Sequence, residues 1–348
     1  FWLDRGVDGF RLDSINFPFH DAQLRDNPAK PAHLRIGRGF SPDNPYAFQY
    51  HLHNNTQPEN LGLLEDVRAL LDRYPDAGAL GEISSEDSLA TTAEYCTPQR
   101  LHMGYSFELL TADCSATYIR ATVEALEAKM TEGWPCWAIS NHDVQRAVTR
   151  WGGGEDAAMA RQLLALVCSL RGSVCLYQGE ELGLPEAEVP FEALQDPYGK
   201  AFWPNFKGRD GCRTPMPWTG AGDAGFSSAV PWLPVPAAHR ALSVEAQERD
   251  PASVLHAARA FLRWRKTQPA LVQGTIRFLD APAQVLALVR EHAAQRLLLA
   301  FNLSAQACEW SLPAPATLLD VPGLPSPAVE AGVLRLPPRG VACALLAD

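Results

Sequence analysis

Residues 6–13, with the sequence GVDGFRLD, form a short and mostly apolar run whose last three residues include the charged Arg11 and Asp13. If this run is a strand, alternation sends Phe10 and Leu12 to one face and places Arg11 and Asp13 together on the other. In a parallel α/β barrel the reactive side chains lie at the carboxyl ends of the strands. Asp13 would then project into a site, and Arg11 beside it would keep its carboxylate ionised. A structural Arg–Asp pair at a strand end is the open alternative.

Further apolar runs follow the same pattern, because each is followed by a polar loop and then by a helical pattern, as in parallel strands buried on both faces. These runs are Ala79–Ile83, Leu101–Phe107, Cys136–Ser140 and Val174–Tyr177. Between them, apolar residues recur at spacings of three and four, which predicts helices. The helical segments are Leu61–Arg73, Ala116–Met130, Ala157–Leu170 and Ser253–Lys266. The alternation predicts an α/β barrel or an open parallel sheet.

The pattern changes near the C-terminus, where short alternating runs are separated by Pro, Gly and Ala. These runs are Thr275–Leu279, Val285–Arg290 and Arg296–Asn302. They predict a small antiparallel β domain, and we place the domain boundary between residues 1–268 and 269–348. The segments Pro18–Asn60 and Pro185–Pro236 are too long and too rich in Pro, Gly, His and aromatic residues for plain connections. We expect them to be loops that form a site.

The composition narrows the class of protein. The 348 residues are 47% hydrophobic and 20% charged, which is typical of a soluble globular protein with a substantial core. The net charge of -10, without a long run of Lys or Arg, argues against nucleic acid or an anionic membrane surface as the main partner. The 8 cysteines contain no CxxC pair, so we expect buried thiols and a cytoplasmic location. No apolar run is long enough for a membrane span.

Two other predicted strands also end in polar residues. Glu82 follows an apolar run, and Gly81 before it leaves room for a bulky group, although a Glu at a strand end also commonly caps the next helix. The segment Asn141–Asp143 follows another run, and its His142 and Asp143 could bind adjacent hydroxyl groups. Metal ligation is the competing hypothesis, but no histidine pair has a ligand spacing such as HExxH. We therefore expect no metal and no cofactor.

These segments together resemble the signature motifs of the α-amylase superfamily, glycoside hydrolase family 13, and specifically of bacterial α-glucosidases and oligo-1,6-glucosidases. Residues 6–13 are similar to the fourth-strand motif of the family, Gly81-Glu82 to the fifth and Ser140–Asp143 to the seventh. The separations of 69 (82 minus 13) and 61 (143 minus 82) residues suit successive barrel strands. Gly208–Trp218 is similar to the Arg-Asp and Arg-Thr-Pro-Met loop of the exo-acting members.

The resemblance implies an α/β fold, an incomplete (β/α)8 TIM barrel of roughly strands 4 to 8, followed by a small antiparallel β-sandwich domain. The first three strands of the family would precede residue 1. The sequence FWLDR of residues 1–5 reads as the last turn of a helix and contains no initiator Met. We therefore expect the N-terminal part to be missing and the fragment alone to hydrolyse poorly.

The resemblance also implies the catalytic roles. Asp13 would be the nucleophile, Glu82 the general acid/base and Asp143 the carboxylate that grips sugar hydroxyls and stabilises the transition state. Hydrolysis with retained configuration requires the carboxyl groups of Asp13 and Glu82 about 5 Å apart. It also requires separate pKa values, with that of Glu82 raised by apolar and anionic surroundings.

Substrate contacts follow from the same likeness. Arg11, His142 and Arg209 would contact the sugar, whereas Arg213 in the loop of Arg209 would be structural. The segment after Asp13, which includes Phe17, Phe19, His20 and Tyr46–His53, corresponds to a loop that narrows the aglycone side in one branch of these glucosidases. Most of its aromatic side chains are expected to pack within the loop.

The implied function is hydrolysis of terminal α-1,4-glucosidic bonds in maltose and other short maltooligosaccharides or glucosides by a monomer or weak homodimer. Ser14 stands where many relatives have Thr or Val, so the resemblance leaves the preferred bond open. Oligo-1,6-glucosidase and α-glucosyltransferase remain alternatives, since the sequence does not rank hydrolysis against transfer. The non-enzyme alternative is a catalytically silent scaffold of the same superfamily.

Overall fold

The chain folds into two compact units. The structure, a computed structural model, describes residues 1–35, 43–154 and 156–347. The first unit comprises Phe1–Thr111 and Ala121–Ala138, and the second comprises Ala112–Arg120 and Ile139–Asp348. Residues 36–42 of the predicted site-forming loop lie outside the described residues. The predicted division into residues 1–268 and 269–348 stays a prediction.

A parallel sheet with the strand order β1-β2-β3 organises the first unit. Its strands are β1 (Gly9–Leu12), β2 (Gly78–Ile83) and β3 (Met103–Ser106). A short strand, β4 (Cys136–Trp137), comes later in the chain, and Pro135 beside it forms a parallel bridge with Gly104 of β3. Since parallel strands end at the same edge of a sheet, the residues that follow β1 and β2 lie side by side.

Helices connect these strands in the order that the sequence predicts. They are α1 (Glu59–Leu71) between β1 and β2, α2 (Ser88–Tyr95) between β2 and β3, and α3 (Ala116–Lys129) after β3. The helix α2 begins at an Asp87 side chain that accepts a hydrogen bond from the Ala90 N–H group. Asp87, and not Glu82, therefore caps this helix.

The second unit begins with an α-helical part. Its elements are α4 (Ala147–Arg150), α5 (Ala157–Ser169), β5 (Ser173–Val174), α6 (Pro197–Ala201), α7 (Ala237–Ala241), α8 (Val244–Glu248), α9 (Val254–Lys266) and α10 (Pro269–Gln273). The helix α5 packs against α9 and is buried over most of its length, because apolar residues cover nearly its whole surface. The predicted helices and most of the predicted strands are confirmed, but β4 covers only the start of the predicted Cys136–Ser140, and β5 overlaps the predicted Val174–Tyr177 only at Val174.

Two antiparallel sheets form the rest of the second unit. Their strands are β6 (Thr275–Phe278), β7 (Val285–His292), β8 (Gln295–Asn302), β9 (Cys308–Ser311), β10 (Ala316–Leu318), β11 (Ala328–Glu330), β12 (Val333–Leu336) and β13 (Val341–Leu346). The sheet orders are β10-β13-β8-β7-β6 and β11-β12-β9. Leu298 and Ala300 of the first sheet share one buried cluster with Trp310 and Leu334 of the second. The two sheets thus pack face to face, as in a sandwich.

A fully buried arginine ties the antiparallel sheet to the helical part. The Arg290 side chain of β7 donates hydrogen bonds to the carbonyl oxygens of Ser169 (2.7 Å), Leu170 (2.8 Å), Gly274 (2.9 Å) and Thr275 (3.0 Å). Ser169 is the last residue of α5, where unpaired carbonyl groups and the helix dipole favour a cation. One guanidinium group therefore satisfies several buried acceptors of the main chain.

Substitution of Arg290 is expected to destabilise the second unit strongly. Arg290→Met keeps an apolar stem but leaves buried carbonyl oxygens without donors, so we expect the free energy of unfolding to fall by about 3 kcal/mol or more. Arg335 of β12 is a matched control, because it pairs with Glu309 and Glu330 on the exposed face. Arg335→Met should cost less than about 1 kcal/mol in urea denaturation followed by circular dichroism. Equal losses for the two variants would contradict the anchoring role of Arg290.

Candidate active site

The carboxyl ends of β1 and β2 bring two carboxylates together around one arginine. Leu12 of β1 is aligned with Gly81 of β2, so the next residues, Asp13 and Glu82, are neighbours. The Arg11 Nη1 atom contacts Asp13 Oδ1, and its Nη2 atom lies 2.9 Å from Glu82 Oε2. The predicted pairing of Arg11 with Asp13 is confirmed, and the same guanidinium group also reaches Glu82.

Two further groups hold Glu82, and neither contact is predicted by the sequence. Tyr105 is aligned with Glu82 across β2 and β3, and its hydroxyl group donates to Glu82 Oε1 at 3.4 Å. The same hydroxyl oxygen accepts a hydrogen bond from Arg11 Nη2 at 3.0 Å. The Ser14 N–H group donates to Glu82 Oε2 at 3.1 Å from a left-handed backbone conformation with φ 44°. Only the strand register could have pointed to Tyr105.

The two carboxylates have opposite environments. The Asp13 side chain is 71% exposed, whereas the Glu82 side chain is 6% exposed. Burial raises the pKa of Glu82, the Ser14 N–H group and the Arg11 charge lower it, and a hydrogen bond and repulsion from Asp13 raise it again. The net pKa of Glu82 lies above its ordinary value, in the predicted direction. The spacing of about 5 Å between the two carboxyl groups stays a prediction.

Gly81 does not leave space for a ligand. A Cβ atom at this position would lie 2.5 Å from Leu101 Cδ1 and 3.1 Å from Ile15 Cγ2. The interpretation that Gly81 makes room for a bulky group is therefore wrong, because apolar side chains already fill this space. The glycine instead allows close packing beneath Glu82.

In the second unit, three basic side chains surround Asp143. The Asp143 N–H group donates to Asn141 Oδ1 at 2.9 Å, which forms a tight turn at the end of the run of residues 136–140. Arg209 Nη1 (3.1 Å) and Arg213 Nη2 (2.9 Å) both contact Asp143 Oδ1, and His142 Nε2 lies 3.4 Å from Oδ2. This carboxylate is about four-fifths buried, since 22% of its side chain is exposed.

Arg209 is fixed by a second carboxylate, which the sequence analysis did not identify. Asp196 has a fully buried side chain and accepts hydrogen bonds from Arg209 Nε (3.0 Å), Nη2 (2.9 Å) and the main-chain N–H group (2.8 Å). Burial raises the pKa of Asp196, but the hydrogen bonds and charge of Arg209 outweigh it and hold the pKa below its ordinary value. The bidentate pair leaves Nη1 of Arg209 directed at Asp143.

The predicted site residues thus form one group in each unit. Arg11, Asp13 and Glu82 lie together in the first unit, and His142, Asp143 and Arg209 lie together in the second. Arg213, which we expected to be only structural, contacts Asp143 as closely as Arg209 does and also donates to the His142 carbonyl group. That all three predicted catalytic carboxylates share one sugar-sized space stays a prediction.

The long loop after Asp13 borders a cavity of about 250 Å³ within the first unit. Its lining includes Lys30, Tyr46 and His51 from the loop and Ser84 and Glu86 from the segment that follows Glu82. The rings of Tyr46 and His51 stack at 3.8 Å, and Lys30 Nζ lies 2.8 Å from Glu86 Oε2. Packing within the loop, as predicted for most of its aromatic side chains, is confirmed for Tyr46 and His51.

Buried thiols are also found, as expected from the scattered cysteines. Burial raises the pKa of the Cys96, Cys168, Cys212 and Cys343 thiols to about 12.

Within residues 1–35, 43–154 and 156–347, no group of three or more His, Cys, Asp or Glu side chains could hold a metal ion. In the same ranges, every helix is too short or too polar to cross a membrane.

Comparisons with known proteins place these motifs in a wider context. A family model described as "Alpha amylase, catalytic domain" matches residues 1–274. A probable alpha-glucosidase of Rhizobium meliloti (strain 1021) is 48% identical over 318 residues, which cover 90% of this chain and 58% of that protein. An oligo-1,6-glucosidase of Parageobacillus thermoglucosidasius is 27% identical over 352 residues, which cover 90% of this chain and 60% of that protein.

A solved structure is also very similar. The crystal structure of the alpha-glucosyl transfer enzyme XgtA has a TM-score of 0.97 and 67% sequence identity, and the match covers 99% of this chain and 65% of that one. This chain therefore spans about three fifths of the length of the relatives that it matches.

Proposed function

We propose that this chain, which belongs to the α-amylase family, is the catalytic part of a retaining α-glucosidase. Family membership gives it a TIM-barrel-like catalytic domain that is followed by antiparallel sheets. That the barrel is incomplete stays a prediction. The relative with 48% identity carries the name probable alpha-glucosidase, which supports the proposed activity.

One observation carries the proposal, namely the difference in environment between Asp13 and Glu82. Glu82 is buried and its pKa is raised above its ordinary value, which favours the protonated form that a general acid needs. Asp13 is exposed and is held by the Arg11 guanidinium group, so its carboxylate is accessible to a substrate and suited to act as the nucleophile. Neighbouring carboxyl groups with separated roles are the usual arrangement of glycosidases.

The mechanism follows from these two roles. Glu82 donates its proton to the glycosidic oxygen while Asp13 Oδ attacks C1 of the glucosyl residue, and the leaving group departs as an alcohol. The glucosyl residue is then bound to Asp13 as an ester. The Glu82 carboxylate next takes a proton from water, the water oxygen attacks C1, and glucose leaves with the configuration of the substrate. Two inversions at C1 thus give retention.

The group around Asp143 is proposed to bind the glucosyl residue. The Asp143 carboxylate, which contacts the Arg209 and Arg213 guanidinium groups, can accept hydrogen bonds from sugar hydroxyl groups and stabilise positive charge near C1. His142 Nε2, Arg209 and Arg213 provide donors for the same hydroxyl groups. Asp196 supports this function indirectly, since it fixes the orientation of Arg209.

The substrate is proposed to be maltose or another short glucoside with a terminal α-1,4 bond. The cavity of about 250 Å³ between the long loop and the segment after Glu82 has room for a small leaving group. Transfer of glucose to an acceptor alcohol is the second candidate, because the relative with 67% identity is named an alpha-glucosyl transfer enzyme. In transfer, the acceptor hydroxyl group replaces water in the second step.

Product analysis tests the proposed reaction. The protein that carries this chain is incubated with maltose, with isomaltose and with p-nitrophenyl α-glucoside, and the first anomer of glucose released from the p-nitrophenyl substrate is identified by NMR. We expect α-glucose from p-nitrophenyl α-glucoside, and cleavage of maltose at a rate at least about tenfold above that of isomaltose, a difference of about 1.4 kcal/mol in activation free energy. An initial release of β-glucose from p-nitrophenyl α-glucoside would contradict retention, and faster cleavage of isomaltose than of maltose would favour an oligo-1,6-glucosidase.

An inactive variant provides the control for the same assay. The activity of Asp13→Asn protein, purified in parallel, gives the contribution of contaminating glucosidases, which is then subtracted. New trisaccharides, formed with about one free glucose for each maltose cleaved instead of the two that hydrolysis releases, would indicate the transferase. No turnover of any α-glucoside by the unmodified protein would favour the catalytically silent scaffold.

A further inference from the structure

Arg146 occupies a buried position behind the group around Asp143. It is 3% exposed, and its guanidinium carbon lies 5.1 Å from the centre of the Tyr177 ring. Its Nη1 atom donates to the Gln178 carbonyl oxygen at 2.9 Å, and its Nη2 atom donates to the Cys212 carbonyl oxygen at 3.1 Å. The two nitrogen atoms thus join segments that are far apart in the sequence.

Cys212 lies between the two arginines that contact Asp143. It is fully buried, and its thiol and main-chain N–H groups both donate to the Arg209 carbonyl oxygen, at 3.0 and 3.2 Å. Its own carbonyl oxygen accepts a second hydrogen bond from the Tyr177 hydroxyl group at 2.9 Å. Since Cys212 is bonded covalently to Arg213, a displacement of its carbonyl group would move both arginines.

The main chain of Arg146 is anchored as well as its side chain. The Arg146 N–H group donates to Glu186 Oε2 at 2.8 Å, and the Glu186 N–H group donates to Thr149 Oγ1 at 2.8 Å. A Cβ atom at Gly211 would overlap Glu186 Oε1, so the loop before Cys212 packs directly on Glu186. Glu186 therefore supports both Arg146 and residues 209–213, which we call the arginine loop.

Arg146 is also close in sequence to the turn that carries Asp143. It follows Asp143 by three residues (146 minus 143), and this turn is closed by the Asn141 side chain through the Asp143 and Val144 N–H groups. The main chain of Arg146 thus belongs to the segment of Asp143, and its guanidinium group holds the loop of the arginines. One residue connects the carboxylate to its partners.

We propose that Arg146 is a positioning residue, which sets the distance between the Asp143 carboxylate and the Arg209 and Arg213 guanidinium groups by holding the Cys212 carbonyl group. The inference rests on the proposed function, because it assigns to this group the binding of the glucosyl residue. A planar guanidinium fork can donate to two carbonyl groups in fixed directions, whereas a lysine ammonium cannot reproduce both directions. Substrate affinity and turnover should therefore depend on Arg146 although it does not touch the sugar.

Another arginine of the second unit provides a matched control. Arg265 of α9 donates to the carbonyl oxygens of Cys168 (2.6 Å), Gly172 (3.5 Å) and Leu271 (3.4 Å), and the structure records no contact between it and the group around Asp143. The change Arg265→Met therefore removes a guanidinium group from main-chain carbonyls elsewhere in the same unit. This variant measures how far the loss of a guanidinium group alone lowers the melting temperature and kcat/KM, while the arginine loop is left unchanged.

The test compares Arg146→Met, Arg146→Lys and Arg265→Met in the protein that carries this chain. The kcat and KM for p-nitrophenyl α-glucoside and the melting temperature are measured for each. We expect Arg146→Met to lower kcat/KM by about 10²-fold through misplaced groups, and Arg265→Met to change it less than about threefold at a similar loss of melting temperature. Arg146→Lys should recover the melting temperature more completely than kcat/KM.

Equal kcat/KM losses for Arg146→Met and Arg265→Met would overturn the inference and leave the proposed function intact. A crystal structure of Arg146→Met gives a second measurement that does not depend on activity. We expect the contacts of Arg209 and Arg213 with Asp143 to lengthen beyond hydrogen-bond distance. Unchanged contacts would overturn the inference, whereas an unmodified protein without turnover of α-glucosides would instead overturn the proposed function.

Discussion

Asp13→Asn is expected to lower kcat for p-nitrophenyl α-glucoside by about 10⁴-fold or more, the largest effect that we predict. The amide keeps the size and the hydrogen-bonding oxygen of the side chain but cannot form the ester with C1. After this charge is lost, Arg11 still contacts the Glu82 carboxylate. The measurement is the initial rate of p-nitrophenol release at saturating substrate.

A control and a chemical rescue make this prediction specific. Asp72 is an exposed carboxylate near the end of α1 that pairs with Arg68, so Asp72→Asn should leave kcat within about twofold. For Asp13→Ala, added azide should attack C1 in place of the carboxylate and give a β-glucosyl azide, which is the product of a single inversion. A rate for Asp13→Asn within tenfold of the unmodified protein would exclude Asp13 as the nucleophile.

Glu82→Gln is expected to lower kcat for maltose by about 10³-fold, because the glutamine side chain cannot protonate the departing sugar oxygen. Bond cleavage in 2,4-dinitrophenyl α-glucoside should be far less affected, since its phenolate leaves without a proton. The pH profile provides a second measurement. Glu82 must be protonated in the first step, so the rate for maltose should fall as the pH rises through its raised pKa.

For the Glu82→Gln variant, the rate of bond cleavage in 2,4-dinitrophenyl α-glucoside should not fall as the pH rises. Glu65→Gln is the matched control, because Glu65 is an exposed residue of α1 that pairs with Arg100. Its pH profile should coincide with that of the unmodified protein. A Glu82→Gln variant that loses equal activity on maltose and on the activated substrate would contradict the role of Glu82 as the acid.

The sequence alone predicted much of this arrangement, because its signals are local. In residues 6–13, the alternation of apolar and charged side chains places Arg11 beside Asp13, and the structure contains this pair. The same periodicity located the strands and helices of both units. The register of parallel strands then brings Glu82 next to Asp13, which follows from strand order and not from any single residue.

The residues that escaped prediction depend on contacts between distant segments. Tyr105 reaches Glu82 only because β3 is aligned beside β2. Asp196 lies 13 residues before Arg209, within a segment without regular spacing, and nothing in its local sequence marks it as the partner of that arginine. Arg213 and Arg146 likewise act through the folded loop around Cys212. Such contacts require the tertiary structure.

Ser14 has a left-handed backbone conformation, and its main chain, not its side chain, makes the hydrogen bond to Glu82. Its contact with Glu82 is made by the main-chain N–H group, so exchange of the side chain leaves that donor in place. Asn or Gly adopt this conformation readily, whereas the β-branched Thr and Val do not. We therefore expect Asn or Gly at position 14 to keep the main-chain hydrogen bond that steadies the proton donor, and Thr or Val to strain it.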